Sequence, residues 1–145
     1  MTGRRRDLAA MIVPLERALI AAELPILRAH GLSMWAYAVL TAVDEGPIRT
    51  QVALAQAIGA DKTRIIGVLD ELQQAGLIER RPDPADRRAR LVSITEKGRK
   101  LRRTTQAAIQ ANEDRVLARL PAAERAAFLR ALAVLSALPP EEITG

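Results

Sequence analysis

Residues 50–95 read TQVALAQAIGADKTRIIGVLDELQQAGLIERRPDPADRRARLVSIT, and the fold turns on how this stretch is parsed. Thr50 is placed to cap a short helix through Ile58, with Val52, Leu54, Ala55 and Ile58 as its expected buried set. Gly59-Ala60 makes a turn. Asp61 can then cap a second helix by accepting hydrogen bonds from its free N–H groups. In that helix Ile65, Val68, Leu69 and Leu72 recur at helical spacing and should face inward. Lys62, Thr63, Arg64, Gly67, Asp70, Glu71 and Gln74 are left outside. Gly76 ends the pattern. Leu77–Arg81 and Arg90–Thr95 alternate as two short strands. Pro82 and Pro84 should keep the loop between them out of helix and ladder alike. At the loop's tip stands Asp86-Arg87-Arg88-Ala89-Arg90.

The helix pair alone fits a solvated amphipathic surface as well as it fits a DNA reader. The hairpin tips the balance. Polar residues at the start of a second helix can meet base edges in a major groove. Arginines on a projecting loop can enter a narrow minor groove, where the negative potential is enhanced. Position matters more here than total charge. Residues 61–90 carry seven basic and six acidic side chains, so no bulk excess explains the reading.

Outward from this stretch the chain is helical. Leu8, Ile12, Leu15, Leu19, Ala22 and Ile26 form a narrow apolar seam over residues 8–29, interrupted by Pro14 and Pro25, each expected to kink the helix or mark a boundary. Such a seam can pack within one chain or against a second copy. Gly31 ends this helix, and Ser33 can cap the next, Met34–Val43, which Glu45-Gly46-Pro47 stops. Trp35 and Tyr37 lie two apart on it and face different sides, one toward the core and the other toward a cavity or interface. Thr95 should cap a long helix from about Glu96 to Arg119, with a seam at Leu101, Thr105, Ile109, Asn112, Val116 and Leu120. Arg99, Lys100, Arg102 and Arg103 near its start are candidates for lying beside a DNA backbone. Pro121 opens a last helix at a first-turn position, with Phe128, Leu132, Leu135 and Leu138 on one face and Pro139-Pro140 at its end.

Composition bounds the rest. A chain of 145 residues, 49% hydrophobic and 27% charged, is long enough for one domain with a real core. Aromatic residues make up only 2%, so aliphatic side chains and alanine must build that core. With no cysteine, disulfides, thiolate metal sites and thiol-based redox sensing are excluded. The N-terminal arginines resemble the start of a signal peptide, but the apolar run after them is short and soon meets Glu16 and Arg17. No apolar run approaches the ~20 residues a membrane span needs, so a soluble intracellular protein is expected. The net charge of +5 fits a polyanionic partner. Catalysis is not expected. The single His30 has no acid–base partner identifiable from spacing, and no nucleophile motif, phosphate loop or metal-ligand cluster is present. No cofactor is expected either.

Residues 70–101, DELQQAGLIERRPDPADRRARLVSITEKGRKL, resemble the MarR family of bacterial and archaeal winged helix-turn-helix regulators. The likeness rests on the D-x-L-x-x-x-G-L-I-x-R core, the D-P-x-D-R-R wing and the Ile94-Thr95-Glu96-Lys97-Gly98 exit, all in register. Upstream, LSMWAYAVLTAV (residues 32–43) is similar to the family's second helix. The resemblance implies a mainly α fold with a small β-hairpin wing, a winged helix-turn-helix over about 33–95 and dimerisation helices at about 8–30 and 96–138, in one domain. It also implies a cytoplasmic, ligand-responsive repressor that binds a pseudo-palindromic operator in double-stranded DNA as a homodimer. Lys62, Thr63 and Arg64 would enter the major groove and Arg88 the minor groove, while Asp86 would pair with an arginine to hold the wing. Thr50, Gln51, Arg87 and Arg90 would contact the DNA backbone. Small amphipathic or aromatic effectors bind many relatives, and His30, Trp35 and Tyr37 are the candidate liners of such a pocket. One departure stands out: Gly67 occupies a place where many relatives carry a longer polar or basic residue. The alternative reading keeps the fold without the DNA, as a protein-interaction or scaffold module.

Overall fold

The computed structural model describes residues 3–46 and 49–145, and within them lie seven helices and a small antiparallel sheet. The chain packs as two compact units, one through Ile109 and one from Gln110 onward. The first unit opens with α1, Leu8–Ala29. It runs through Pro14 and Pro25 as one helix, so neither proline is the boundary that the sequence offers as one of two expectations. Pro14 leaves the Ala10 carbonyl without its usual helical donor, and the Arg6 guanidinium supplies one at 3.4 Å. Gly31, at φ 73°, closes the helix, with the Leu32 N–H donating to the Leu27 carbonyl at 2.9 Å.

Ser33 caps α2, Met34–Glu45, by accepting the Ala36 N–H at 3.1 Å. The helix reaches two residues past the predicted Val43, and Pro47 of the predicted stop lies outside the described residues. Thr50 caps α3, Gln51–Ile58, through the Ala53 N–H, and Asp61 caps α4, Lys62–Gln74, through the Arg64 N–H at 2.7 Å. The four predicted inward residues of α4 are its buried ones: Ile65, Val68, Leu69 and Leu72. In α3 one expectation fails. Leu54 and Ala55 are buried, but Val52 is 65% exposed. Two residues before Leu54 puts it roughly 200° round the helix, on the opposite side.

The hairpin is longer than the alternation suggests. β2, Ile78–Asp83, pairs with β3, Asp86–Ile94, from Ile78↔Ile94 to Asp83↔Asp86. Pro82 therefore sits in the ladder opposite Arg90 rather than in a free loop, which corrects the sequence expectation. β2 is an edge strand and the register slips between Pro82 and Asp83, the setting in which a strand tolerates proline. Only Pro84-Ala85 remain as the turn. A two-residue β1, Arg49–Thr50, pairs with the other edge of β3. Leu27, Val39, Leu40, Leu54, Leu69, Ile78 and Val92 form the centre of the core, one aliphatic set drawn from α1 to α4 and both hairpin strands.

Thr95 then turns the chain into α5, Glu96–Leu117. Its Oγ1 accepts the Gly98 N–H at 3.0 Å and donates to the Gly76 carbonyl at 2.7 Å. Gly98 is forced by contact: a Cβ there would lie 2.1 Å from the Leu77 carbonyl oxygen. The second unit holds the end of α5, then α6, Ala122–Ser136, and a short α7, Pro140–Thr144. Pro121 is the N-cap of α6 rather than a first-turn residue, and Pro139-Pro140 begins α7 rather than ending the last helix. Arg125 donates to the Leu117 and Leu120 carbonyls at 3.1 Å each, satisfying the end of α5. No residue of α6 is buried, so Phe128, Leu132 and Leu135 line an uncovered face.

Candidate nucleic-acid interface

The Asp61 cap fixes where α4 begins and so which side chains stand at its open end. Lys62, Thr63 and Arg64 fill the first turn and are all exposed. The N-terminal end of a helix also carries partial positive charge, which favours an approaching phosphate. The Arg64 guanidinium carbon lies 5.8 Å from the centroid of the Trp35 ring on α2, within cation–π range.

The wing is held at its tip and at its root. At the tip, the Asp83 and Asp86 carboxylates accept the backbone N–H groups of Ala85 and Arg88 at 2.9 and 3.0 Å. These bonds fold the turn and leave Arg87, Arg88 and Arg90 exposed. At the root, Arg80 of β2 ties the hairpin to both helices. It pairs with Asp70 at 2.5 Å, donates to Gln73 at 2.6 Å and reaches Gln51 on α3 at 3.3 Å. A groove of about 380 Å³ runs between these elements, lined by Gln51, Ile66, Gln73, Arg80 and Arg90. Helix start and wing tip thus each expose basic side chains, on elements that Arg80 braces.

A family model described as MarR family matches residues 30–89. A MarR-family transcriptional regulator from Rhodococcus sp. RHA1 is 28% identical, covering 92% of this chain and 97% of its own, with a TM-score of 0.76. CouR from Rhodococcus jostii RHA1, solved with p-coumaroyl-CoA, is 28% identical over 92% of this chain and 94% of its own, with a TM-score of 0.73. The transcriptional repressor CouR on a 23-mer DNA duplex matches at 26% identity, 90% and 92% coverage and a TM-score of 0.75. The chain thus matches the MarR model over its central residues, and its structural neighbours are MarR-family transcriptional regulators. It has the family's winged helix fold.

Several residues sit differently from what the family resemblance implies. Asp86 holds the wing by accepting a backbone N–H, not through an arginine side chain. Thr50 spends its acceptor on the helix cap, and Gln51 is engaged by Arg80, so both are half-buried at the frame rather than displayed. Arg99, Arg102 and Arg103 converge on Asp44 at 3.2, 3.5 and 3.7 Å, and Arg102 also bonds Glu45. The Arg102 and Asp44 side chains are only 6% and 5% exposed, so this cluster fastens α5 to α2. Nothing in the local pattern announces it, because the partners are 58 residues apart.

The three MarR effector-pocket candidates have separate surroundings. His30 Nδ1 lies 2.8 Å from the Ile26 carbonyl and finishes α1. Trp35 carries Arg64. Tyr37 packs against the core, where burial pushes its phenol above the ordinary tyrosine range and the Arg102 charge pulls partly back. It therefore stays a neutral hydrogen-bonding group at physiological pH. Among the described residues no cluster of three or more His, Asp or Glu side chains could hold a metal, and no helix is long and apolar enough to cross a membrane.

Proposed function

We propose that this chain is a cytoplasmic transcriptional repressor of the MarR family that binds a pseudo-palindromic operator as a homodimer and releases it on binding a small effector. The observation carrying the reading is the exposed polar and basic start of α4 together with the exposed wing arginines, on elements that Arg80 ties to each other. Lys62, Thr63 and Arg64 read the major groove, Arg88 enters the minor groove, and Arg87 and Arg90 contact phosphates. Thr50 and Gln51 touch the backbone only from the groove floor. The proposed division is a winged helix-turn-helix over about 33–95, with α1 and the helices from Glu96 onward joining two copies. An amphipathic aromatic acyl conjugate, of the kind CouR is solved with, is the model for the effector class. Trp35 and Tyr37 are its proposed contacts. His30, already bound to its own helix, would serve as the rim. The chain itself catalyses nothing in this reading.

The test is binding to duplexes from the DNA upstream of its own and neighbouring genes, over a range of salt. The logarithm of affinity should fall against log salt with a slope of about −0.9 per neutralised phosphate. Arg88→Ala should weaken binding without moving the melting temperature. A flat salt response would sink the reading in favour of a protein-interaction module, and a sharp fall in melting temperature would make Arg88 a structural residue.

A further inference from the structure

The exposed face of α4 is not uniformly polar. Ile66 is 42% exposed one turn after Lys62, on the side turned toward α3. Val52, the exposed valine of α3, lies across from it. The two share a shallow, largely apolar groove of about 390 Å³, with Gln56, Ala60 and Lys62 on its margin. Neither belongs to the core, and the groove they share reaches Lys62 at the exposed start of α4. On the neighbouring stripe Gly67 has an ordinary helical φ, and a Cβ built there would meet nothing within 4 Å. A mid-helix glycine is less favourable than alanine, because it loses more backbone freedom on folding. Among the described residues, nothing packs into the space it leaves. An isoleucine and valine left in water beside a bared backbone suit an apolar group approaching closely from outside, flanked by negative charge.

In a major groove that group is the 5-methyl of thymine, the one apolar feature base pairs present there. We propose that Ile66 and Val52 form the contact for a thymine methyl in each half-site, and that Gly67 lets α4 sit deep enough to make it. This rests on the DNA-reading function above and adds which base it selects.

The experiment starts from duplexes selected out of a random library by the full-length protein. Each thymine of the selected site is then replaced in turn by deoxyuridine, which removes only the methyl. One thymine per half-site should lose affinity roughly fourfold, the equivalent of about 0.8 kcal/mol for one buried carbon. Ile66→Ala should bind the thymine and deoxyuridine sites equally, and Val52→Ala should narrow the difference. Gly67→Ala should raise the melting temperature while weakening specific binding. If wild type and Ile66→Ala lose affinity by the same factor at every thymine, the contact is overturned. So it is if a selected consensus shows no sensitivity to deoxyuridine. If Gly67→Ala binds as wild type does, close approach is overturned. A library that yields no consensus defeats the DNA reading itself, and this inference with it.

Discussion

Gly98 shows how much one missing side chain can hold. Its N–H is bound by Thr95, and the space its Cβ would fill belongs to the Leu77 carbonyl, itself the acceptor of the Thr95 N–H at 3.1 Å. The obstacle is backbone, which cannot rotate aside as a side chain could. Gly98→Ala should therefore destabilise the fold by about 3 kcal/mol in urea unfolding, as overpacking does, despite alanine's better helix propensity. An alanine variant as stable as wild type would mean that the Leu77–Thr95 joint gives way easily. Both glycines were visible in the sequence, but only contact distances separate them: Gly98 has no room for a methyl and Gly67 has open space.

At the scale of elements, what was legible followed from local physics. The caps Ser33, Thr50, Asp61 and Thr95 are read from side-chain chemistry next to a periodic run, and the buried face of α4 from spacing alone. What escaped depends on distant partners. β2 and β3 extend each other past Pro82 because each supplies the other's ladder, and α5 is pinned to α2 by charges far apart in the chain. Arg102 looked like one of four surface cations until Asp44 was beside it. Asp44→Asn should cost about 3 kcal/mol, the low end for breaking a buried ion pair, because Arg102 keeps Glu45. Glu45→Gln, at a position 60% exposed, should cost less than about 1 kcal/mol. Chemical denaturation of the two variants checks the ranking, and equal losses would show that the cluster is not organised around Asp44.

At the scale of the whole molecule, the apolar seams remain to be covered. Leu8, Ile12 and Leu15 on α1 and Phe128, Leu132 and Leu135 on α6 are all at least 38% exposed, a quantity of apolar surface that monomers rarely leave in water. The seams were legible as seams, but one chain cannot say what lies against them. A second copy would bury both and set two wings on one duplex, with half-sites about one turn, ~10 bp, apart. Sedimentation should then give a dimer at micromolar concentration, and the melting temperature should rise with protein concentration by mass action. Leu132→Glu should release monomers that keep the first unit's core, since no residue of α6 contributes to it. Those monomers should lose operator affinity far more steeply than their affinity for a single half-site, because dimerisation acts through the second contact. A wild-type monomer that binds the full palindrome tightly would break this link between the apolar seams and the exposed basic side chains.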